Sequence, residues 1–555
     1  MKKKLLYICL FIFLSIKSYS QTIPVGSYAE TIARRNQLLG SKDSLSSFTI
    51  RPLSSSVVGV GDPEFQSLIA SESVTAPTEI WGIPSYVKIL PFNWLSDYNS
   101  KLPSGYNNGS LYPNVGYQTR FSGGIFVKAG FLNIQFKPEL VSAQNKAFLT
   151  FADIQANYNS TVVPAFFNII NGIDAPERFG PYSITHVYLG QSKVTAEYKG
   201  VEFGFSTENL WWGPGVQNSI MMSNSAPGFL HWTFNSVKPA KTPIGLFEWQ
   251  VIGGRLEQSG YNPLDTGKLP TQNQYYVPKP NITRYLSAFD INWQPKWISG
   301  LFLGISGYDY MNKDSTYYDK SFLKRLLPVF VGSSNQSNTL TATSDGDNQD
   351  FAYAFNVRQL LPKYNAEIYF EYAKNDRPAN FTDIILEPED ATGYTIGGSR
   401  LFPLRKKKQF IQVTIELTHL EKPQTDLVRA EPTWYVHLQS PSDGYTNEGR
   451  YIGAGIGPGS NSLMIDVSFV DNLSAFGYKF ERYVHNNDLY YAAFAGTNNF
   501  VSNWVDLSNT FYATFKIQKN YLISAQVAPI ITFNYEYLQS RIFNMYSSLN
   551  LTYLF

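Results

Sequence analysis

Residues 541–555, RIFNMYSSLNLTYLF, alternate apolar and polar side chains to the last residue of the sequence. Alternation with a period of two predicts a β-strand that has one apolar face. The stretch therefore predicts the closing strand of a membrane β-barrel, with its apolar face turned to lipid. Six residues form that face: Phe543, Met545, Leu549, Leu551, Tyr553 and Phe555.

The same alternation recurs at 131–140, 410–419, 511–518 and 531–537. Each stretch approaches the roughly 9–11 residues that cross a membrane at the tilt of a barrel strand. A water-soluble sandwich also alternates, so one such strand decides little. Repetition to the end of the sequence, with charged residues on the polar face, favours a transmembrane antiparallel β-barrel that has a wet interior.

The amino-acid composition is typical of a transmembrane β-barrel. The sequence has 555 residues, of which 16% are charged and 16% are Phe, Tyr or Trp. An outer-membrane barrel needs few charges and many aromatics for its lipid face and interfacial girdles, so outer-membrane lipid is an expected partner. The formal net charge of +2 gives no reason to expect nucleic-acid binding.

The first 20 residues predict a signal peptide. Three lysines at 2–4 precede the apolar run 5–16, and small or polar residues follow before Gln21. Cys9 is the only cysteine and lies inside this segment, so we expect neither disulfides nor zinc–thiolate sites in the mature protein. No later apolar run is long enough for a transmembrane helix. An exported chain of this kind is either soluble or a closed barrel.

Three parts of the chain are expected: the signal peptide at 1–20, an N-terminal helix and irregular plug or cap at 21–110, and the barrel at 111–555 with long extracellular loops. Tyr28, Ile32 and Leu38 form a helical stripe that Gly40 ends, which predicts one short periplasmic helix packed on a barrel end. Residues 54–108 are expected to contain no strands. Tight turns at Lys199-Gly200 and Lys519-Asn520 belong on the periplasmic side.

The stretch 207–232, TENLWWGPGVQNSIMMSNSAPGFLHW, interrupts the strand pattern. It is too rich in Gly, Pro and Asn for a strand and too aromatic for an ordinary solvated loop. It predicts a loop folded into or over the barrel mouth. A strand that starts at Gly200 crosses the membrane in about ten residues, which places Trp211 and Trp212 at the extracellular mouth.

Residues 208–215, ENLWWGPG, and 222–227, MSNSAP, resemble the signature of the capsule-assembly Wzi family. Residues 368–376, 444–450 and 453–462 are similar to further stretches of that family. The resemblance implies an outer-membrane barrel of about eighteen strands. It also implies a periplasmic helical part and a lectin-like role in holding polysaccharide at the cell surface. The sequence departs from the family in having one short helix candidate where the best-known form has a helical bundle.

A sugar-binding surface needs flat aromatic rings for pyranose faces and planar polar groups for hydroxyls. The aromatic and polar residues of the loop could supply both. The structural alternative to sugar binding is that the tryptophan pair packs the loop against the inner wall, with Gly213, Pro214 and Gly215 shaping a tight turn. The candidate glycan-binding residues are Glu208, Asn209, Trp211, Trp212, Gln217, Asn224 and Trp232, with a second polar cluster of Asp443, Tyr445, Glu448 and Arg450.

No enzyme class is indicated. The five histidines lack metal-ligand spacing, and no nucleophile elbow stands in a suitable context. The glycine-rich run 453–459 lacks the lysine and the strand-to-helix context of a phosphate loop, and predicts a flexible loop or bulge. Glu371 and Glu416 lie on polar strand faces, where a pair of carboxylates for glycoside hydrolysis is conceivable. We predict a non-enzymatic protein without a cofactor or a metal site.

These patterns lead to one functional hypothesis and two rivals. The hypothesis is a monomeric outer-membrane barrel of Gram-negative bacteria that binds or anchors exported capsular polysaccharide through its extracellular loops. Phe555 is expected to present the terminal signal to the barrel assembly machinery. The rivals are an outer-membrane channel and a scaffold component of an outer-membrane secretion machine.

Overall fold

The computed structural model describes most of the chain after residue 20. The described residues are 21–40, 45–58, 63–69, 78–80, 83–154, 162–262, 275–279, 282–312, 327–330, 349–375, 389, 391–406, 408–423, 433–437, 443–494, 501–538 and 540–555. The predicted signal peptide at 1–20 lies outside them.

Within these residues, 18 antiparallel wall strands close into a barrel, because the last strand pairs with the first. This confirms the predicted fold class. Two wall strands are interrupted by short bulges, and a third continues in a short extension. The strands are β1 Ile83–Asn99, β2 Gly116–Ala129, β3 Leu132–Phe136 with Glu139–Ala143, β4 Ile184–Tyr188 with Lys193–Tyr198, β5 Val201–Ser206, β6 His231–Ser236 with Ala240–Thr242, β7 Gly245–Leu256, β8 Arg284–Pro295, β9 Leu301–Asn312, β10 Gln349–Leu361, β11 Ala366–Asn375, β12 Thr392–Pro403, β13 Gln409–His419, β14 Asn461–Asp471, β15 Ser474–Val484, β16 Val505–Ile517, β17 Tyr521–Phe533 and β18 Arg541–Tyr553.

The alternation read from the sequence matches the two faces of the wall. In β18, Phe543 is 50% exposed on the outer face, whereas Asn544 and Tyr546 are buried on the lumen side. In β13, Ile415 is exposed outward and Glu416 is buried inward. A closed cylinder leaves no strand edge unpaired, so its outer face can carry apolar side chains into lipid.

The two ends of the barrel differ. Short connections at 199–200, 472–473 and 518–520 join neighbouring strands at one end, which we name the turn end. Long connections such as 207–230, 257–283 and 420–460 leave from the other end, which we name the loop end. The tight turns expected at Lys199-Gly200 and Lys519-Asn520 are present.

An N-terminal helix, α1 (Tyr28–Leu38), lies inside the turn end. Ser27 caps its first turn by accepting a hydrogen bond from Glu30 N, while the Glu30 side chain accepts from the backbone N–H of Gly26, the residue before the cap, at 2.8 Å. Leu38 packs between Phe302 and Leu401 of the wall. The helix ends at Leu38, two residues before Gly40, as the stripe predicted.

Four shorter helices complete the described structure. Helix α2 (Pro63–Ile69) packs near α1 at the turn end. Helices α3 (Phe151–Ile154), α4 (Val162–Asn171) and α5 (Asn487–Phe494) form an apolar layer over the loop end. Single-turn helices occur at Pro328–Phe330, Pro362–Tyr364 and Tyr535–Tyr537.

Three sequence expectations need correction. Residues 54–108 were expected to contain no strands, but they include β1, the longest of the described strands, in which a register shift between Leu90 and Asn93 breaks the alternation. The alternation at 531–537 ends as a strand at Phe533, because Asn534 adopts φ 53° and a single helical turn follows. The sequence also predicts a long loop over 375–408, and this stretch instead contains β12.

Candidate functional site

The loop at 207–230 leaves the wall early and folds into the lumen. Strand β5 has only 6 residues and ends at Ser206, where a full crossing would need several more. The loop then forms a short antiparallel pair with the N-terminal segment, in which Trp211 faces Arg51 and Trp212 faces Ile50. We name residues 21–40 and 45–58 together with 207–230 the plug.

Trp211 and Trp212 therefore do not lie at the mouth, and that prediction is wrong. Trp212 is fully buried and Trp211 is 3% exposed. The indole nitrogen of Trp212 donates to Gln250 Oε1 at 2.9 Å, and Gln250 lies midway along β7. The pair sits at mid-height inside the barrel, and its burial favours the alternative that these rings pack the loop against the inner wall.

Arg51 joins the two halves of the plug. Its guanidinium donates to the carbonyl oxygens of Gly213 at 3.1 Å and Gly215 at 2.8 Å, and it pairs with Glu30 at 2.6 Å. The guanidinium carbon also lies 4.5 Å from the ring centroid of Trp211. Planar, multidentate donation of this kind suits arginine and not lysine.

Three wall carboxylates fasten the plug from the lumen side. Glu416 accepts hydrogen bonds from the backbone N–H groups of Val216, Gln217 and Asn218 at 2.7–3.1 Å. Glu371 accepts from Ile220 N at 3.3 Å. These two glutamates, considered above as a catalytic pair, are engaged in holding the loop.

The third carboxylate, Glu367 on β11, is buried between two arginines. It pairs with Arg34 of α1 at 2.8 Å and with Arg358 of β10 at 2.5 Å. Arg34 also donates to the carbonyl of Pro214 at 2.7 Å, so helix, wall and loop meet in one charge network. A buried charge is costly without partners, and these partners supply the compensation.

The remaining residues of the predicted loop site have structural contacts. Glu208 accepts from Thr22 and from Gln135 Nε2 at 3.0 Å, and Asn209 donates to the carbonyl of Ala226 at 2.7 Å. Asn224 donates to the carbonyl of Asn107 at 2.9 Å.

The conformations and contacts of Gly213, Pro214 and Gly215 agree with the structural alternative, in which the tryptophan pair packs the loop against the inner wall. Gly213 adopts φ +141°, and a Cβ there would lie 2.5 Å from Ser219 Oγ and about 3 Å from both carboxylate oxygens of Glu371. Pro214 and Gly215 present their carbonyls to Arg34 and Arg51. The glycines thus allow the loop to approach the wall closely.

Trp232 lies apart from the others. It stands opposite Phe205 in the ladder between β5 and β6, and Phe205 is 58% exposed on the outer face. Directly opposed residues share a face, so Trp232 belongs to the outer wall, where its indole nitrogen donates to Tyr285 at 3.2 Å. Its assignment to a loop site with Trp211 is therefore corrected.

The second predicted polar cluster is split. Tyr445 is buried and stacks on Tyr308 with ring centroids 3.8 Å apart. Asp443 is buried and accepts from Gln258 Nε2 at 2.8 Å. Arg450 lies 4.4 Å from the ring centroid of Tyr112 and 3.2 Å from Glu448.

A cavity of about 780 Å³ opens above the plug at the loop end. Ligand pockets of drug or oligosaccharide size typically have about 300–1,000 Å³. Of the residues predicted for glycan binding, the structure places Gln217 and Arg450 in its lining. The cavity combines aromatic rings with charged and amide groups: Tyr106, Tyr261, Tyr276, Tyr451, Tyr483, Trp504, Glu177, Arg178, Gln258, Lys479 and Asp506.

One wall of this cavity is a stack of three rings. His485 lies between Tyr483 and Trp504, with centroid distances of 3.8 Å to each, and its plane is 8° from that of Trp504. His485 Nε2 lies 2.9 Å from Asp506 Oδ2. Among the described residues, Asp506 Oδ1 and the indole nitrogen of Trp504 are buried atoms without a hydrogen-bond partner.

Sequence reasoning missed this stack. Trp504 and Asp506 stand at the start of β16, and Tyr483 and His485 at the end of β15, on opposite sides of a long connection. Only the pairing of β15 with β16, in which Tyr483 faces Asp506, brings them together. The available signal was a tryptophan and an acidic residue at the loop end of a strand.

Two features are absent from the described residues. None of their helices has the length and apolar character needed to cross a membrane. None of their His, Asp and Glu side chains form a group of three that could hold a metal ion.

The fold and the filled lumen define a class of protein: an outer-membrane β-barrel of Gram-negative bacteria whose interior is occupied by its own N-terminal segment and an inward loop. The family model for the capsule assembly protein Wzi matches residues 114–470. The chain belongs to the Wzi family of capsule assembly proteins, as the resemblance at ENLWWGPG implied.

The chain is similar to solved structures of outer-membrane proteins, of which the first described here supports the fold. The chain is similar to Wzi of Escherichia coli, an outer-membrane protein involved in group 1 capsule assembly and described as a carbohydrate-binding β-barrel, with 10% identity and a TM-score of 0.56 over 94% of this chain and 98% of that one. OprB of Pseudomonas putida matches with 11% identity and a TM-score of 0.35 over 84% and 94% of the two chains. OccAB2 of Acinetobacter baumannii matches with 11% identity and a TM-score of 0.39 over 84% and 97%. A search of curated proteins finds no match to the sequence.

Proposed function

We propose that this protein anchors exported polysaccharide at the cell surface, and that the glycan binds in the loop-end cavity without being cleaved. The observation that carries the proposal is the cavity wall of Tyr483, His485 and Trp504 beside Asp506. Aromatic rings bind the apolar faces of pyranoses, and a carboxylate accepts hydrogen bonds from sugar hydroxyls.

The volume and charge of the cavity support this choice. A space of about 780 Å³ takes a segment of a few sugar residues, as a handle on a longer chain. Arg178, Lys479 and Asp506 all line it, so both signs of charge are available to hydroxyl, acetamido or carboxylate substituents. The similarity to a carbohydrate-binding barrel of Escherichia coli points the same way.

The buried tryptophan pair has a different role in this proposal. Trp211 and Trp212 shape the plug that forms the floor below the cavity, while Gln217 reaches its lining. The two predicted roles of the loop, packing and ligand binding, are thereby divided between different residues.

A strain that lacks the protein, complemented with variants, tests the proposal. Trp504→Ala should shed polysaccharide into the medium while the barrel assembles normally, as judged by heat-modifiable gel migration. Trp297→Ala is the matched control, because Trp297 is 63% exposed in a turn-end connection far from the cavity. Normal retention by Trp504→Ala, or a normal capsule in the deletion strain, would refute the proposal.

A further inference from the structure

The plug fills the lumen unevenly. Its polar bonds to the wall reach Glu248 and Gln250 on β7, Arg358 on β10 and Glu371 and Glu416 on the strands that follow. Further bonds reach Gln135 on β3 and Ser462 on β14. Along the strands from β16 to β2, two cavities lie between the plug and the wall.

The second cavity, of about 390 Å³, lies toward the turn end. It reaches Leu522 and Thr552, which are next to the turn-end limits of β17 and β18. On the wall from β16 to β1, eight hydroxyl or amide side chains line this cavity beside five apolar residues, and Arg120, Lys137 and Glu139 line it on the next two strands. The eight are Asn93, Tyr512, Thr514, Ser524, Gln526, Ser548, Asn550 and Thr552.

The loop-end cavity continues along the same strands. It is lined by Thr510 of β16, by Gln526 and Ala528 of β17 and by Tyr546 of β18. Gln526 and Asn108 line both cavities. The two spaces therefore meet end to end along one polar wall.

A short segment at 104–110, which we name the strap, separates them. Tyr106 crosses to β15, where its hydroxyl donates to Glu481. Asn107 donates to the carbonyl of Gln217 at 2.6 Å and accepts from Ser225 Oγ at 2.9 Å. Arg120 holds the carbonyl of Asn108 at 3.1 Å.

The strap is held by these polar bonds and by the ring of Tyr106, which packs on the apolar core and lies edge-on to Tyr483 with ring centroids 6.3 Å apart. Gly105, Asn107 and Gly109 all have positive φ, at 94°, 60° and 63°. Local openings require segments with few buried apolar contacts, because such contacts supply most of the stability of a fold.

We propose that the polar wall from β16 to β2 lines a strap-gated passage for small uncharged polyhydroxylated solutes. Hydroxyl and amide groups exchange hydrogen bonds with such solutes as they do with water. The charged groups that also line the two cavities, such as Arg120, Glu139 and Lys479, are of both signs, whereas a dense ring of one charge would select ions. In the structure the strap closes the passage between the cavities. The passage includes the loop-end cavity proposed for the glycan, but the inference does not rest on glycan binding, because it is argued from the turn-end cavity and the strap and concerns a small free solute.

Solute uptake tests the passage. Full-length protein in liposomes is placed in isotonic arabinose, and the swelling rate is compared between the unaltered protein and Tyr106→Phe/Asn107→Ala, which removes the side-chain bonds of the strap. The variant should swell the vesicles several-fold faster than the unaltered protein. Tyr182→Phe is the control, because Tyr182 is 80% exposed outside both cavities, and should not differ from the unaltered protein.

Thiol labelling tests whether the cavities connect, and it does not require a large flux. Cys9 is the only cysteine of the sequence, so Ser548→Cys places one thiol in the turn-end cavity of the mature protein. A small hydrophilic maleimide added to intact cells should label it faster in the strap variant than in the unaltered strap background. Equal labelling rates, or swelling at the rate of protein-free vesicles in every variant that shows heat-modifiable migration, would overturn the inference.

Discussion

The guanidinium carbon of Arg51 lies 4.5 Å from the ring centroid of Trp211, and this contact unites two distant parts of the sequence. Arg51 belongs to the N-terminal segment and Trp211 to a loop between two wall strands. The same guanidinium holds two backbone carbonyls of that loop and pairs with Glu30. Arg51 therefore holds the N-terminal segment and the loop together, and the plug is one folded unit.

Replacing Arg51 should loosen the plug. Arg51→Ala leaves the buried Glu30 without its partner, and breaking a buried ion pair costs about 3–5 kcal/mol. We expect a lower transition temperature for heat-modifiable migration in detergent. Arg255→Ala removes an exposed pair with Glu257 and should leave the transition nearly unchanged. Identical transitions for both variants would contradict the role assigned to Arg51.

Replacing Trp212 should separate packing from ligand binding. Trp212→Ala removes a fully buried ring, a change that typically costs about 3–5 kcal/mol. We expect reduced thermal stability together with polysaccharide retention close to normal at a temperature where the barrel is folded. A loss of retention equal to that of Trp504→Ala, with unchanged stability, would instead assign the tryptophan pair to ligand contact.

Removing Glu416 should release the loop from the wall. Glu416→Ala leaves the backbone N–H groups of Val216, Gln217 and Asn218 without this acceptor, and each unmet buried group costs about 1–3 kcal/mol. Limited chymotrypsin digestion should then cut near Trp211 and Trp212, which the plug protects. Glu257→Ala at the exposed loop end is the control. Equal protection in the two variants would show that other contacts suffice.

Lower pH should stabilise the helical layer at the loop end. Burial raises the pKa of Asp488 from 3.8 to about 6, and the hydrogen bond from Lys422 N and the Lys422 charge only partly oppose this. Because this pKa is higher in the folded protein than in the unfolded chain, the folded protein takes up the proton first. Stability then rises as pH falls through about 6, and the gain is complete below the unfolded value near 3.8.

The comparison of Asp488→Asn with the unaltered protein isolates that effect from other acids. Thermal transitions are measured for both at pH 7.5 and pH 5. The unaltered protein should gain stability relative to the variant on acidification. Parallel changes in the two proteins would mean that Asp488 has the same pKa in both states.

The wall was largely predictable and the lumen was not. Strands such as β13 and β18 alternate cleanly because lipid lies on one side and polar groups on the other. The sequence does not show that β5 stops at Ser206. The strand ends there because Glu416, Arg51 and Gln250 form hydrogen bonds with the loop that follows. Those partners are remote in sequence. The local sequence pattern therefore predicted Trp211 and Trp212 at the extracellular mouth, whereas they lie at mid-height inside the barrel.

The candidate site was hidden for the same reason. Trp504 and His485 stack only because β15 and β16 pair in register across the connection between them. Glycine and tryptophan make ENLWWGPG conspicuous in the sequence, but in the structure these residues are buried and pack the loop closely against the barrel wall. The conspicuous residues identified the family, and less conspicuous ones line the cavity.

Direct binding of polysaccharide to the purified protein tests the central claim. Detergent-purified protein is titrated with capsular oligosaccharides prepared from the same strain, and binding is followed by calorimetry for the unaltered chain, Trp504→Ala and Trp297→Ala. We predict saturable binding that is strongly weakened by Trp504→Ala and unchanged by Trp297→Ala. No saturable binding, or equal affinity in all three proteins, would contradict the account.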